Sequence, residues 1–228
     1  MPKLRIAFCG YREWALELFG TIRSNPHLDQ PTLVKSKEEY DEWMSRHPPV
    51  LDFILFVGWS WLIPPQVLKD YLCLGIHPSD LPDFRGGSPI QNQIISGVKK
   101  TKISLMTLAE KIDEGDVWLK EDLSLEGANM RMIFNNIVQS SSRLLNRFFA
   151  IYPDIQPERQ SHGGGCFRKR RKPADSRITM RQMETMELEE LYDFIRCLTE
   201  PYPNAYLEDE HGNRLFFKEV RFEAALPK

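Results

Sequence analysis

His77 is the residue best placed in this sequence to move a proton or to hold a developing anion. It follows the apolar run Tyr71 to Ile76, read as a short strand, and opens a stretch running from Pro78 to Pro89. In that stretch Pro82, Pro89 and Gly86-Gly87 shape the backbone tightly. A histidine titrates near neutral pH and, when protonated, donates to an oxyanion. The competing reading is a satisfied structural histidine, and the company of Ser79, Asp80 and Arg85 at a strand exit weighs against it. Asp113-Glu114-Gly115-Asp116 supply carboxylates around a glycine. They either close an ordinary hairpin or hold a carboxylate beside His77, where it orients the ring or takes a proton from an attacking amine. Spacing leaves both readings open.

Other patterns carry less. Arg168 to Lys172 are five consecutive basic residues, read as a solvated face, a local phosphate site or a nucleic-acid patch. Gly163-Gly164-Gly165 has no buried strand before it, so it reads as a flexible loop, with His162 facing solvent. GxGxxG, GxxxxGK[ST] and GxSxG are absent, which leaves nucleotide and serine hydrolysis without a motif. Cys9, Cys73, Cys166 and Cys197 form no CxxC pair and read as free thiols in a reducing compartment, with two disulfides as the disfavoured arithmetic option.

The elements that position these residues follow from hydrophobic period. Leu4 to Cys9 reads as a buried first strand, and Trp14, Leu18, Phe19 and Ile22 recur at helical spacing. Pro31 interrupts the weak segment from His27 to Lys35. Ser36 with Glu39 forms a capping box for a helix through Met44. Asp52 to Val57 is a central strand, and Pro64-Pro65 starts a helix. Ile90 to Ile95 is helical. Lys102 to Leu108 and Val117 to Leu123 make an antiparallel hairpin around the acidic turn. A long helix starts at Gly127 or Asn129 and carries Ile133 to Phe148. Gln156 to Thr179 is polar, Met186 to Leu198 is a final amphipathic helix, and Tyr206-Leu207 with Leu215 to Val220 form a terminal hairpin. The pattern predicts an α/β fold with an open, mostly parallel sheet. Ligands in such sheets bind outside the carboxyl ends of the strands, where Gly58-Trp59-Ser60 and His77 stand.

Composition bounds the rest. The chain has 228 residues, 42% hydrophobic, with formal charge −2. This excludes fibrous, disordered and disulfide-framework classes, and gives no positive field for nucleic acid. No stretch has the length of a membrane span, and no leader is read at the start. The expectation is a cytoplasmic protein with no membrane or nucleic-acid partner.

His77-Pro78-Ser79-Asp80-Leu81-Pro82-Asp83-Phe84-Arg85-Gly86-Gly87-Ser88-Pro89-Ile90, together with Asp113-Glu114-Gly115-Asp116, resembles the signature of 10-formyltetrahydrofolate-dependent formyltransferases. Gly10-Tyr11, Phe56-Val57-Gly58-Trp59 with Ile63-Pro64, Phe167 to Arg170 and Leu198 to Tyr206 extend the resemblance over most of the chain. It implies a Rossmann-like formyltransferase fold with an antiparallel hairpin and a short C-terminal hairpin. The catalytic part would span 1–180, and 181–228 would serve dimerisation or substrate binding. It implies attack of a substrate amine on the formyl carbon of 10-formyltetrahydrofolate, with no metal. His77 would stabilise the oxyanion or transfer a proton, and Asp113 would orient it. Trp59, Ile63, Leu105, Thr107, Leu108, Ile112 and Asp116 would line the folate. Ser79, Asp80, Arg85, Gly86, Gly87, Arg168, Tyr202 and Tyr206 would meet the acceptor.

Two positions depart from the family pattern. Gly75 stands where the family carries an asparagine two residues before the histidine, and Asp80 stands in place of a leucine. After Tyr206 only 22 residues follow, which argues against the tRNA-binding barrel of methionyl-tRNA formyltransferases. The resemblance then implies the nucleotide-sugar N-formyltransferase branch of the pseudaminic-acid type. Its acceptor would be a UDP-linked 4-amino-4,6-dideoxy sugar, and its expected state is a homodimer. A dTDP-linked 4-amino sugar, a carrier-bound amino acid, or a non-catalytic folate-binding homologue are the alternatives.

Overall fold

The computed structural model describes residues 2–46, 50–161 and 165–224. Alternation along the first strands sets the architecture. In β1 (Ile6–Cys9), Ile6 and Phe8 enter one buried cluster while Ala7 and Cys9 enter another. β3 (Phe53–Phe56) divides the same way, Phe53 and Leu55 against Ile54 and Phe56. A strand buried on both faces must lie inside a sheet covered on both sides. The sheet has six strands in the order β2-β1-β3-β4-β6-β7, with β2 at Thr32–Val34, β4 at Cys73–His77, β6 at Lys100–Thr107 and β7 at Val117–Ser124. β1 to β4 run parallel; β6 pairs antiparallel with β4, and β7 with β6.

Helices α1 (Glu13–Ile22) and α5 (Met130–Ile151) cover the face carrying Phe8 and Leu55. Asn129 caps α5 by accepting the Met132 N–H at 3.1 Å. Helices α2 (Lys37–Ser45) and α3 (Pro65–Asp70) cover the opposite face through Tyr40 and Val67. Ser36 caps α2 by accepting the Glu39 N–H, but Glu39 reaches past Ser36 to accept the Lys35 N–H, so the box read from sequence forms on one side only. Helix α4 (Pro89–Ile95) follows the His77 loop.

Several expectations change. The Pro31 segment does form a strand, β2, held to three residues at the sheet edge. The final helix is α7 (Leu188–Arg196), shorter at both ends than read, and a further short helix, α6 (Met180–Thr185), precedes it. Met186 is extended between them, and Thr179 with Gln182 caps α6. The terminal hairpin is β9 (Ala205–Glu208) with β10 (Arg214–Phe217), so pairing stops before Val220. Arg85–Gly86 forms a two-residue strand, β5, parallel to β8 (Phe167–Arg168). Phe194, Ile195, Leu198 and Ala205 share the main core with the sheet. All four cysteines are free, Cys166 alone being partly exposed. His162, Gly163 and Gly164 lie outside the described residues. Among the described residues no helix is long and apolar enough to cross a membrane.

Candidate active site

His77 ends β4 and is 7% exposed. Its Nε2 donates to the Phe84 carbonyl at 3.0 Å, and its Nδ1 lies 3.5 Å from Asp113 Oδ2. A carbonyl and a carboxylate only accept, so a neutral ring serves one of them and a protonated ring serves both. The same Asp113 oxygen accepts the Gly86 N–H at 2.8 Å. The acidic turn therefore does bring a carboxylate to the histidine. Phe84, Ser88 and Asp113 all have φ between +52° and +56°, a conformation that costs a side-chain-bearing residue energy and that gathers at functional sites.

Gly115 makes the turn possible. A Cβ there would lie 1.8 Å from the Thr107 carbonyl oxygen, so any side chain would push the turn off β6. On the His77 side, Gly86 and Gly87 play the same part under the 167–170 strap. A Cβ on either would come within 2.3 Å of backbone atoms of Arg168 or Arg170. Gly87 N–H donates to Arg168 O at 2.8 Å, Arg171 N–H to Ser88 Oγ at 3.1 Å, and the Arg168 guanidinium lies 5.7 Å from the Phe84 ring centre. Arg85 and Arg168 stand one register position apart on the paired strands β5 and β8, so the period of two turns Arg168 toward Phe84 and Arg85 toward the other face.

Gln160 was not legible as a site residue, because it sits in a polar stretch without periodicity. It joins Arg85 to the acidic turn through hydrogen bonds at both ends of its amide. A cavity of about 770 Å³ is lined by Arg85, Thr107, Lys111, Gly115, Asp116 and Gln160. Asn92 braces the loop by donating to Gly87 O at 2.9 Å.

Other expected site residues lie elsewhere. Ser79 is fully buried and donates to Asp83 O at 2.6 Å, a brace inside the loop. Asp80 pairs with Lys120 of β7 at 2.5 Å, which offsets its charge. Tyr202 stacks on Phe134 with centroids 6.1 Å apart. Tyr206 is buried in β9 beside Phe216, so its ring is not open to an acceptor, whereas Tyr202 is half-buried.

Of the folate-side expectations, Leu105 is fully buried in the α5-side core. Thr107 accepts from Trp118 Nε1 at 2.9 Å, and Trp118 packs on Phe148. The period of two puts both side chains on the face opposite His77, whose partner across the ladder is Ser104. Leu108 falls on the His77 face and fills the space in front of Gly75: a Cβ at 75 would meet its Cδ2 at 2.6 Å. Trp59 and Ile63 are half-buried on that face, with Trp59 packed on Tyr40, Phe56 and Trp61. Ile112 is 59% exposed on the loop before Asp113. Among the described residues no three His, Cys, Asp or Glu side chains gather as metal ligands.

Strands β2, β3, β4, β6 and β7, the His77 loop and the acidic turn all lie between residues 28 and 131. The formyl transferase family pattern matches residues 28–131. The chain is 31% identical to a methionyl-tRNA formyltransferase structure from Clostridium thermocellum, with TM-score 0.82 over 96% of this chain and 94% of that one. It is 35% identical over 130 residues to the methionyl-tRNA formyltransferase of Rickettsia prowazekii (strain Madrid E), covering 56% of this chain and 43% of that protein. A 4-N formyltransferase from Francisella tularensis shares the fold, with TM-score 0.75 at 19% identity over 97% and 99% of the two chains. The chain belongs to the formyl transferase family. It spans about half the length of the curated relatives it matches.

Proposed function

We propose that this protein transfers the formyl group of 10-formyltetrahydrofolate to a primary amine, and that the amine is carried by a nucleotide-linked amino sugar. The observation that carries the reaction is the His77–Asp113 pair, 3.5 Å apart, in a chain of this family. 10-Formyltetrahydrofolate supplies an activated formyl carbon. The residues fit a flat, partly polar co-substrate. Trp61 is 37%, Leu62 89% and Ile112 59% exposed, which offers apolar surface to a ring. The main chain of Ala109, Glu110 and Ile112 makes no backbone hydrogen bond among the described residues, which leaves donors and acceptors to read a pterin edge.

Asp113 holds the His77 ring by Nδ1 and takes the proton that the attacking amine loses; as the tetrahedral intermediate collapses, the bond from the formyl carbon to N10 breaks and N10 takes up that proton, leaving the formamide and tetrahydrofolate. His77 Nε2 exchanges the Phe84 carbonyl for the developing oxyanion, a donor fixed in advance of charge. Gly75 contributes no side-chain donor, so His77 carries this task without the asparagine of the family pattern.

Arg85, which lines the cavity with Lys111 and Asp116 beside Gln160, suits the diphosphate of a nucleotide sugar. A UDP-linked 4-amino-4,6-dideoxy sugar is the proposed acceptor, with the dTDP-linked sugar as its rival. The 31% identity to a methionyl-tRNA formyltransferase favours a second reading, formylation of an aminoacyl-tRNA. The protein is incubated with 10-formyltetrahydrofolate and, in parallel, UDP- and dTDP-linked 4-amino sugars and methionyl-tRNA, and each acceptor is weighed by mass spectrometry. Gain of one formyl group on a sugar nucleotide supports the proposal. Gain on methionyl-tRNA alone selects the second reading, and no gain with any acceptor sinks both.

A further inference from the structure

Gln160 is 7% exposed and saturated at both ends. Its Nε2 donates to the carbonyls of Asp113 at 2.9 Å and Gly115 at 2.7 Å; its Oε1 accepts from Arg85 Nε at 3.0 Å and Nη2 at 2.7 Å. Carbonyls only accept and a guanidinium only donates, so the amide has one orientation. Leucine meets none of these four contacts. Glutamate meets the guanidinium but sets an oxygen against two carbonyls.

Its backbone is anchored nearby. Glu158 and Val117 exchange both main-chain hydrogen bonds at 2.8 Å, which ties the segment to the start of β7. The acidic turn, by contrast, holds itself weakly: its internal bond from Glu114 N–H to Lys111 O is long at 3.4 Å. Asp113 is also held at φ +56°. Gln160, Arg85, Gly86 and Asp113 close a ring, since Gly86 follows Arg85 and donates to the Asp113 carboxylate at 2.8 Å. Arg85 Nη1 is left unused by Gln160, and Arg85 lines the cavity together with it.

We propose that Gln160 is a positioning residue that sets the Asp113 carboxylate against His77 and couples it to Arg85, so that an anionic acceptor group seated on Arg85 and the carboxylate serving His77 are held by one amide. The kinetic part rests on the formyl-transfer reading; the structural part does not. The reporter is the Gly86 amide, which the Asp113 carboxylate protects.

The test uses the full chain with Gln160→Leu and Gln160→Glu, the latter keeping size and the Arg85 contact. Amide exchange at Gly86 is followed by NMR, and kcat and KM are measured with 10-formyltetrahydrofolate and the acceptor found above. In both variants Gly86 is expected to exchange at least about tenfold faster while Ala7 and Ile54 in the central sheet are unchanged. The kcat is expected to fall about ten- to a hundredfold with KM for the folate nearly constant, as for a misplaced catalytic group. Should Gln160→Leu fail to fold, Gln160→Glu decides. Wild-type exchange at Gly86 together with wild-type kcat in a folded variant overturns the proposal. If the wild-type protein transfers no formyl group, the functional reading fails, and Gly86 exchange alone judges the clamp.

Discussion

Leu108 occupies the place where a side chain on Gly75 would stand, its Cδ2 2.6 Å from the Cβ position. Gly75 faces the same side of β4 as His77, two residues on. The slot that holds an asparagine in the family pattern is therefore plugged by an apolar side chain. Gly75→Asn alone is expected to overpack the slot and cost about 1–3 kcal/mol, seen as a lower urea midpoint. Adding Leu108→Ala should restore stability and, by supplying a donor, raise kcat roughly a hundredfold. A single Gly75→Asn variant as stable as the wild type would contradict this cost and mean that the Leu108 side chain swings aside freely.

Turnover should depend on the pair itself. His77→Ala is expected to lower kcat about a hundred- to ten-thousandfold with far-ultraviolet circular dichroism unchanged. Asp113→Asn should lower kcat with little change in KM, because the Gly86 N–H keeps an oxygen acceptor. Full turnover by His77→Ala would remove the mechanism.

Gly115→Ala tests the closeness of the turn to β6. Its Cβ would overlap the Thr107 carbonyl at 1.8 Å. The expected result is a loss of about 1–3 kcal/mol and a steep loss of activity. An active variant with unchanged melting temperature would contradict the geometry.

Arg196 is a structural counterpart far from this chemistry. It is 2% exposed and donates to Asp193 at 2.6 Å, Leu125 O at 2.8 Å and Gly127 O at 3.0 Å; Lys99 donates to the other oxygen of Asp193 at 2.7 Å. Arg196→Met leaves two carbonyls and half a carboxylate without donors. It should destabilise the protein by about 3–5 kcal/mol, measured by chemical denaturation, with kcat of the folded fraction unchanged.

The thiols provide a pH test. Burial pushes the Cys73 thiol up to about 12, and that of Cys9 higher, Cys73 adding to the effect on Cys9. Cys197 is raised to about 12, again chiefly by burial. A thiol whose pKa is raised on folding stays neutral, and so unreactive, at any pH below that value. Between pH 7 and 9 a disulfide reagent should therefore label Cys166 rapidly in the native protein, and the other three only after unfolding. Fast native labelling of Cys9 or Cys73 would contradict the burial.

The order of strands and helices was legible in the sequence because strong local signals set it. The two-sided apolar runs of β1 and β3, the Ser36–Glu39 cap and the Pro64-Pro65 start all act within a few residues. His77 and Asp113 were legible as candidates because their flanking prolines and glycines constrain the backbone locally. Their meeting was not, since it depends on a loop folding back across the sheet and on Gly115 passing 1.8 Å from where a side chain would strike Thr107. The three-residue β2 was hidden by Pro31, since pairing to β1 outweighs a weak local preference. Tertiary structure alone decided that Leu105 and Thr107 face away from His77, that Lys120 takes up the charge of Asp80, and that Gln160 joins Arg85 to the acidic turn. These are contacts between residues far apart in the chain, chosen by strand register and by the need to satisfy buried polar groups, and neither leaves a periodic trace in the sequence.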